Sequence, residues 1–289
     1  MRRWIARLLL VFTAAVSVGG CGSNTETIGS DASGTAGSKI KVIEVDLTEE
    51  SYGIGVDKNQ PELLEQVNDF IREIQENGEF DEICSHYMGD GEPVLVTPKK
   101  RDKEKDQLIV GSTLDFEPFE YGEIDAYYGI DMEMVSRFAD WLGKDLVIVN
   151  SNFETMFFSV KQHKCDLCIG GISIDDTRRQ YMDFSIPYYH TAQRVVVPAD
   201  NTEFDQVDTA EEVEEILRAK DSSQTVGVEN LTTAQYYCEG NDADGYTGFP
   251  LTVKRYRDTL TAMDAMIDGS IDYVVGDAVQ IHYLLDDAE

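Results

Sequence analysis

Basic residues are scarce. The 289 residues carry 24 Lys and Arg against 55 Asp and Glu, a formal net charge of −31. That balance disfavours a nucleic-acid binder, because phosphate contacts need clustered Lys and Arg. Histidine is rarer still, and His86, His163, His190 and His282 show no metal-ligand spacing. Among the five cysteines only Cys165 and Cys168 are closely spaced, and no second CxxC or paired His accompanies them. The run Cys165 to Ile169 reads as a buried strand in which positions i and i+3 face opposite ways. Cys84, Cys165, Cys168 and Cys238 therefore read as small buried hydrophobes. No P-loop, G-x-S-x-G or H-E-x-x-H occurs, so the common enzyme signatures are missing, and no cofactor or metal is expected. Only one apolar stretch, Leu8 to Val18, is long, and it falls short of the ~20 residues of a spanning helix.

That stretch follows Arg2, Arg3 and Arg7 and precedes the small residues Val18-Gly19-Gly20-Cys21, the order of an export signal over residues 1–20. Val-Gly-Gly-Cys also resembles a bacterial lipobox, which implies a lipid on Cys21. Residues 21–38 are rich in Gly, Ser and Thr, cannot bury enough surface to fold, and read as a flexible tether. Signal, cysteine and tether describe a protein held on the outer face of a membrane. The whole chain is 42% hydrophobic and 27% charged, which with its length describes a globular protein of about two domains.

From residue 108 onward, short apolar strands alternate with amphipathic helices. Leu108–Ser112, Leu146–Val149 and Asp166–Gly170 read as strands, with helices Asp131–Leu142 and Glu154–Gln162 between them. A second set follows: strands Val195–Val197, Thr225–Val228, Thr252–Tyr256 and Ile271–Val275, with helices Thr209–Lys220, Thr232–Cys238, Asp258–Asp268 and Ala278–Leu285. Such alternation argues for parallel sheets covered by helices on both faces. Ahead of it stand strands Ile40–Leu47 and Tyr52–Val56 and a helix over Pro61–Asn77, started by Pro61, stopped by Gly78 and striped by Leu64, Val67, Phe70, Ile71 and Ile74. A shorter helix, Phe80–Tyr87, precedes a run of charge at residues 97–106 that reads as a solvated linker.

Three stretches then carry a family resemblance. VGSTLDFEPFEY (110–121), GIDMEMVSRFADWL (129–142) and DLCIGGISIDDTRRQYMDFSIPYY (166–189) resemble the polar amino-acid-binding proteins of bacterial ABC importers, the family 3 solute-binding proteins, over their first lobe. IDGSIDYVVGD (267–277) is similar to the end of the second lobe. The resemblance implies an α/β, two-lobed, periplasmic-binding-protein-like fold of type II, each lobe a mainly parallel sheet flanked by helices, joined by a two-strand hinge. The pieces that close the family's chain, similar to residues 39–90, stand here ahead of its usual start. This implies a circular permutation: residues 39–48 and 193–289 form lobe 2, residues 49–95 and 108–192 form lobe 1, and residues 96–107 join the usual ends. A fragment of two fused tandem copies stays open as the alternative. Under the permuted order, Ile40–Leu47 should lie beside Ile271–Val275, with residues 47–52 and 188–193 crossing in the hinge.

The resemblance also implies a site. A free amino acid buried between lobes needs each of its charges paired. Arg178 matches the guanidinium for the carboxylate, Asp277 the acid for the ammonium, and Ser173 the hydroxyl that bonds the ligand; Gly171 lets the backbone approach. Thr232 and Thr233, at a helix head, resemble the second carboxylate-binding turn, and Phe116 and Phe153 match rings that stack on the ligand's side chain. Thr113 stands where many relatives have an acid, and Glu229 stands where others have an apolar residue or lysine. An acid at Glu229 suits arginine, lysine or glutamine. Asp115 and Tyr121 are possible rim contacts. The expected protein is a monomeric, lipid-anchored binding protein that serves the membrane subunits of an ABC importer. A dehydratase on the same scaffold, with Glu229 as its acid, and a sensor module without transport are the alternatives.

Overall fold

The computed structural model describes residues 39–123 and 125–286. The expected signal segment, Cys21 and the tether lie outside the described residues. The described residues form one unit, in which residues 39–95 share sheets with residues that follow them by more than 100 positions.

Two five-stranded sheets carry the structure, one per lobe. Lobe 1 orders its strands Asp183–Phe184, Gly55–Val56, Leu167–Cys168, Gln107–Ser112, Asp145–Asn150. Lobe 2 orders them Ile40–Ile43, Gln193–Pro198, Tyr273–Asp277, Thr225–Glu229, Thr252–Tyr256. Each sheet is mixed: its last three strands run parallel, and two further strands, each paired antiparallel with its neighbour, are added along one side. Between the lobes, Glu50–Tyr52 pairs antiparallel with Tyr189–Thr191 as a two-stranded ladder.

The middle strand of the parallel trio in lobe 1 shows how sequence fixes the layers. Gln107–Ser112 is buried at every position, as expected of a parallel strand covered on both faces. Leu108 and Val110 join the cluster under helices Pro61–Asn77 and Ile130–Leu142, while Ile109 joins Met156 and Val160 of helix Phe153–Lys161 on the other face. Alternation of side chains along a strand produces this split. Lobe 2 repeats it: Val195 and Val197 face Val213 and Leu217, and Val196 faces Met263 and Ile281.

Several sequence expectations need correction. Ile40–Ile43 does not lie beside the strand ending at Asp277; it pairs with Gln193–Pro198, which separates the two. Val195, Val196 and Val197 are fully buried, so this strand takes an interior place, and Ile40–Ile43, only half buried at Lys41 and Val42, takes the edge. The expected strand Tyr52–Val56 is broken in two, because the chain leaves the hinge ladder at Tyr52 and enters the lobe 1 sheet at Gly55. Cys165 and Cys168 share one apolar cluster rather than opposite faces, since the strand is confined to Leu167–Cys168. Both are free thiols, and burial pushes both up, Cys165 to about 11. In helix Pro61–Asn77 the stripe starts at Leu63, not Leu64. The joining segment is less detached than its charge suggests: Val96 is buried and pairs with Tyr127, and the Lys99 amide donates to the Leu146 carbonyl at 2.7 Å.

Candidate functional site

The carboxyl ends of the parallel strands in both lobes face the same crevice, the usual place for a ligand in open α/β sheets. There a cavity of about 520 Å³, open solvent at its mouth included, is lined from both lobes and the hinge. All ten residues singled out from the sequence line it: Thr113, Phe116, Phe153, Gly171, Ser173 and Arg178 from lobe 1, and Glu229, Thr232, Thr233 and Asp277 from lobe 2. Asp115 also lines it, exposed at the rim. Tyr121 does not. It is buried in lobe 1, stacked on Tyr128 at 5.8 Å.

Arg178 stands at the head of a short 3-10 turn, Arg178–Gln180, and is only 2% exposed. Its Nη1 donates to the Ser173 carbonyl at 2.8 Å and lies 3.0 Å from Asp175 Oδ2. Its guanidinium carbon sits 5.3 Å from the Phe153 ring centre and 5.7 Å from that of Phe157, so Phe153 braces the cation. Nε is buried without a partner among the described residues. A second donor without a partner among them, the Thr233 hydroxyl, lines the same cavity from lobe 2.

The acids outnumber this one guanidinium. Asp277, 9% exposed at the end of Tyr273–Asp277, accepts from Val279 N at 2.9 Å, Gln280 N at 3.2 Å, Thr191 Oγ1 at 3.0 Å and the Tyr52 hydroxyl. It thus caps helix Ala278–Asp286 as well as facing the cavity. Glu229 Oε2 accepts from Thr259 N and Oγ1 at 3.2 and 3.0 Å. Glu120 is fully buried: Oε1 accepts from Thr113 Oγ1 at 2.9 Å, and Oε2 has no partner among the described residues. Thr113 thus holds the Glu120 carboxylate at the cavity wall.

Two expected roles change. Ser173 Oγ donates to Glu50 Oε2 at 2.5 Å, so its hydroxyl can offer a ligand only lone pairs. Gly171 N donates to Asp131 Oδ2 at 2.9 Å, and at φ +52 a Cβ there would stand 2.4 Å from Phe116 Cε1. The close approach that requires glycine is to Phe116.

Sequence reasoning missed Tyr52, Glu120, Gly170, Gln193, Thr259, Gly276 and Gln280 on the cavity wall. Glu120 lies within the run 110–121 that carries the resemblance. Gln193 Oε1 and Gln280 Oε1 are buried without partners, so with Glu120 Oε2 they make the wall rich in acceptors.

Burial decides the proton affinities. It pushes Glu229 up to about 7, helped by Asp115 and Asp258 and opposed by the Thr259 hydrogen bonds. It pushes Asp277 up to about 6, opposed by the Tyr52 hydrogen bond. Glu120 moves up by burial and by the charge of Asp131. A carboxyl raised in the folded state holds protons that the unfolded chain has released, so stability falls as pH rises through the folded value. The melting point of the ligand-free protein should therefore drop, on the order of 5 °C, between about pH 5 and about pH 7.5. Glu229→Gln should flatten that slope in a thermal melt; an unchanged slope would mean Glu229 keeps an ordinary proton affinity.

Against this geometry the comparisons with known proteins are specific. Residues 108–276 match the model of the bacterial extracellular solute-binding proteins, family 3. The arginine-binding extracellular protein ArtP of Bacillus subtilis is 32% identical over 93 residues, 32% of this chain and 36% of that one. The cyclohexadienyl dehydratase of Pseudomonas aeruginosa is 24% identical over 181 residues, 61% of each chain. The chain thus spans between about a third and three fifths of the length of these curated relatives. In structure it is similar to the ancestral amino acid-binding protein AncCDT-1, a precursor of cyclohexadienyl dehydratase, with a TM-score of 0.52 at 22% identity over 63% of this chain and 74% of that one. The architecture is that of the two-lobed type II periplasmic binding proteins, and the chain belongs to the bacterial extracellular solute-binding proteins of family 3.

Proposed function

We propose that the protein closes its two lobes on a free basic L-amino acid, arginine or lysine ahead of glutamine, and hands it to an ABC importer from the outer face of a membrane. The observation that carries this reading is the charge inventory of one cavity: a single guanidinium, Arg178, against Asp115, Glu120, Glu229 and Asp277. An α-carboxylate takes the Arg178 fork. An α-ammonium takes Asp277. That leaves Glu120 and Glu229 for a second cation at the end of the side chain, whose stem runs past Phe116 and Phe153. A leucine or isoleucine would leave both acids unanswered, and a buried carboxylate without a partner is costly. The arginine-binding name of the Bacillus relative supports the same class.

The lipid anchor rests on Val18-Gly19-Gly20-Cys21 and the tether behind it. The permuted order is supported by the family match beginning only at residue 108, while strands from residues 40–56 complete both sheets and the hinge ladder. We propose binding and release by a monomer, without turnover. Glu229 supports the dehydratase reading beside the likeness to the Pseudomonas dehydratase, because an acid near 7 can exchange protons at neutral pH. Steady conversion of a cyclohexadienyl acid by the purified protein would select that reading instead.

A thermal-shift screen against the twenty amino acids tests the proposal, since a ligand held only by the folded form raises its melting point. Arginine and lysine should give the largest shifts. A larger shift with leucine or isoleucine would remove Glu120 and Glu229 from the side-chain site.

A further inference from the structure

The loop between helix Thr233–Glu239 and strand Thr252–Tyr256 reaches from lobe 2 across to lobe 1. Asp244 Oδ1 accepts from the backbone amides of Asp176 and Thr177 at 3.0 and 3.2 Å, and Oδ2 accepts from Thr177 Oγ1 at 2.6 Å. Asn241 Nδ2 adds a bond to Thr177 Oγ1 at 3.1 Å. The residues gripped in this way directly precede Arg178.

Both sides of the contact are braced. In lobe 2, Asn241 and Tyr246 exchange backbone hydrogen bonds at 2.8 and 2.9 Å, and the Tyr246 ring packs edge-on against Tyr237. Gly248, at φ +70, lies so close to Glu239 that a Cβ would meet its carbonyl at 2.6 Å, which fixes the path of the loop. In lobe 1, Asp175 Oδ1 accepts from Arg178 N at 2.5 Å, so the turn and its guanidinium are held as one piece. Arg178 Nη2 completes the crossing with a 3.4 Å bond to the Leu231 carbonyl of lobe 2.

We infer that Asp244 is a positioning residue of the binding site: it grips the turn that carries Arg178 only when the lobes meet, so lobe closure and placement of the carboxylate clamp are one event. The inference rests on the proposed role of Arg178. Asp244 itself does not line the cavity. Its contribution is to the fraction of molecules in the binding-competent form, and apparent affinity falls in proportion to that fraction. Three bonds to a carboxylate vanish with Asp244→Ala, and charge-assisted bonds of this kind are the stronger ones. The dissociation constant for L-arginine should then rise on the order of ten- to a hundredfold, mostly through faster release.

The experiment compares the full chain with Asp244→Ala, Asp244→Asn and the exposed neighbour Asp242→Ala. Calorimetry reads L-arginine binding, and small-angle scattering reads the radius of gyration without ligand and at saturating arginine. Asp244→Ala should bind more weakly and be more extended without ligand, and saturation should bring it to the wild-type radius. Asp244→Asn should recover part of the loss, because its remaining carbonyl oxygen still accepts the two amides, and Asp242→Ala should match wild type. Binding within twofold of wild type, or weaker binding with an unchanged ligand-free radius, overturns the inference. If the wild-type chain does not bind arginine, the scattering comparison still decides it, which separates failure of the latch from failure of the ligand assignment.

Discussion

Replacing Arg178 by alanine should nearly abolish amino-acid binding while the protein still folds. Arg178 is 2% exposed, and its Nε has no partner among the described residues. A ligand carboxylate buried against alanine loses its counter-charge, a loss of ~2–5 kcal/mol by analogy with truncated interfacial charge pairs. That corresponds to roughly 30-fold to several thousand-fold weaker binding. The neighbouring Arg179 is the control: its side chain is 52% exposed, its ion pair with Asp176 is long at 3.9 Å, and it should be replaceable at little loss. Calorimetry on Arg178→Ala and Arg179→Ala, with a melting curve of each, separates the clamp from the fold. Equal losses at the two positions would place the carboxylate elsewhere.

Asp277→Asn should be almost as damaging to binding but not to the fold. The amide keeps the shape, and its oxygen can still cap helix Ala278–Asp286 through the Val279 and Gln280 amides. What disappears is the charge that meets the ammonium. Each carboxylate oxygen already accepts two protein donors. An ammonium therefore enters by turning out a hydroxyl, Thr191 or Tyr52, and that exchange is favourable only toward an anion. The same ~2–5 kcal/mol applies. Burial holds the Asp277 carboxyl up at about 6, so protonation should reproduce part of the variant: wild-type affinity should fall as pH drops from about 7.5 to about 5. In Asp277→Asn the remaining pH dependence should be that of Glu120 and Glu229 alone. An Asn variant that binds arginine as well as wild type would leave Asp277 a helix cap and nothing more.

The sequence reveals local features well and long-range ones poorly. Pro61 and Gly78 mark helix Pro61–Asn77 because each residue acts on its own backbone. The parallel trio in each lobe is legible because its strands are continuous apolar runs spaced by helices. The neighbour of Ile40–Ile43 is not, because an edge strand of that composition fits either side of a valine-rich partner. The site divides along the same line. That Arg178, Asp277 and their companions come together at one cavity is legible through motifs. Tyr52 reaches Asp277 from 225 positions away through the hinge ladder, a pairing no local pattern encodes. Glu120 sits inside a recognisable run, yet only the fold shows that its free oxygen is buried in the cavity wall. The Asp244 contact is beyond sequence reading for the same reason, since it exists only where two lobes touch.

A crystal structure of the protein with L-arginine measures the central claim directly. The carboxylate should lie on Arg178, the ammonium on Asp277, and the guanidinium against Glu120 and Glu229, with Asp244 on the Thr177 turn. Arginine bound outside the cavity, or inside it with its guanidinium on Asp277 and its carboxylate away from Arg178, would contradict the account.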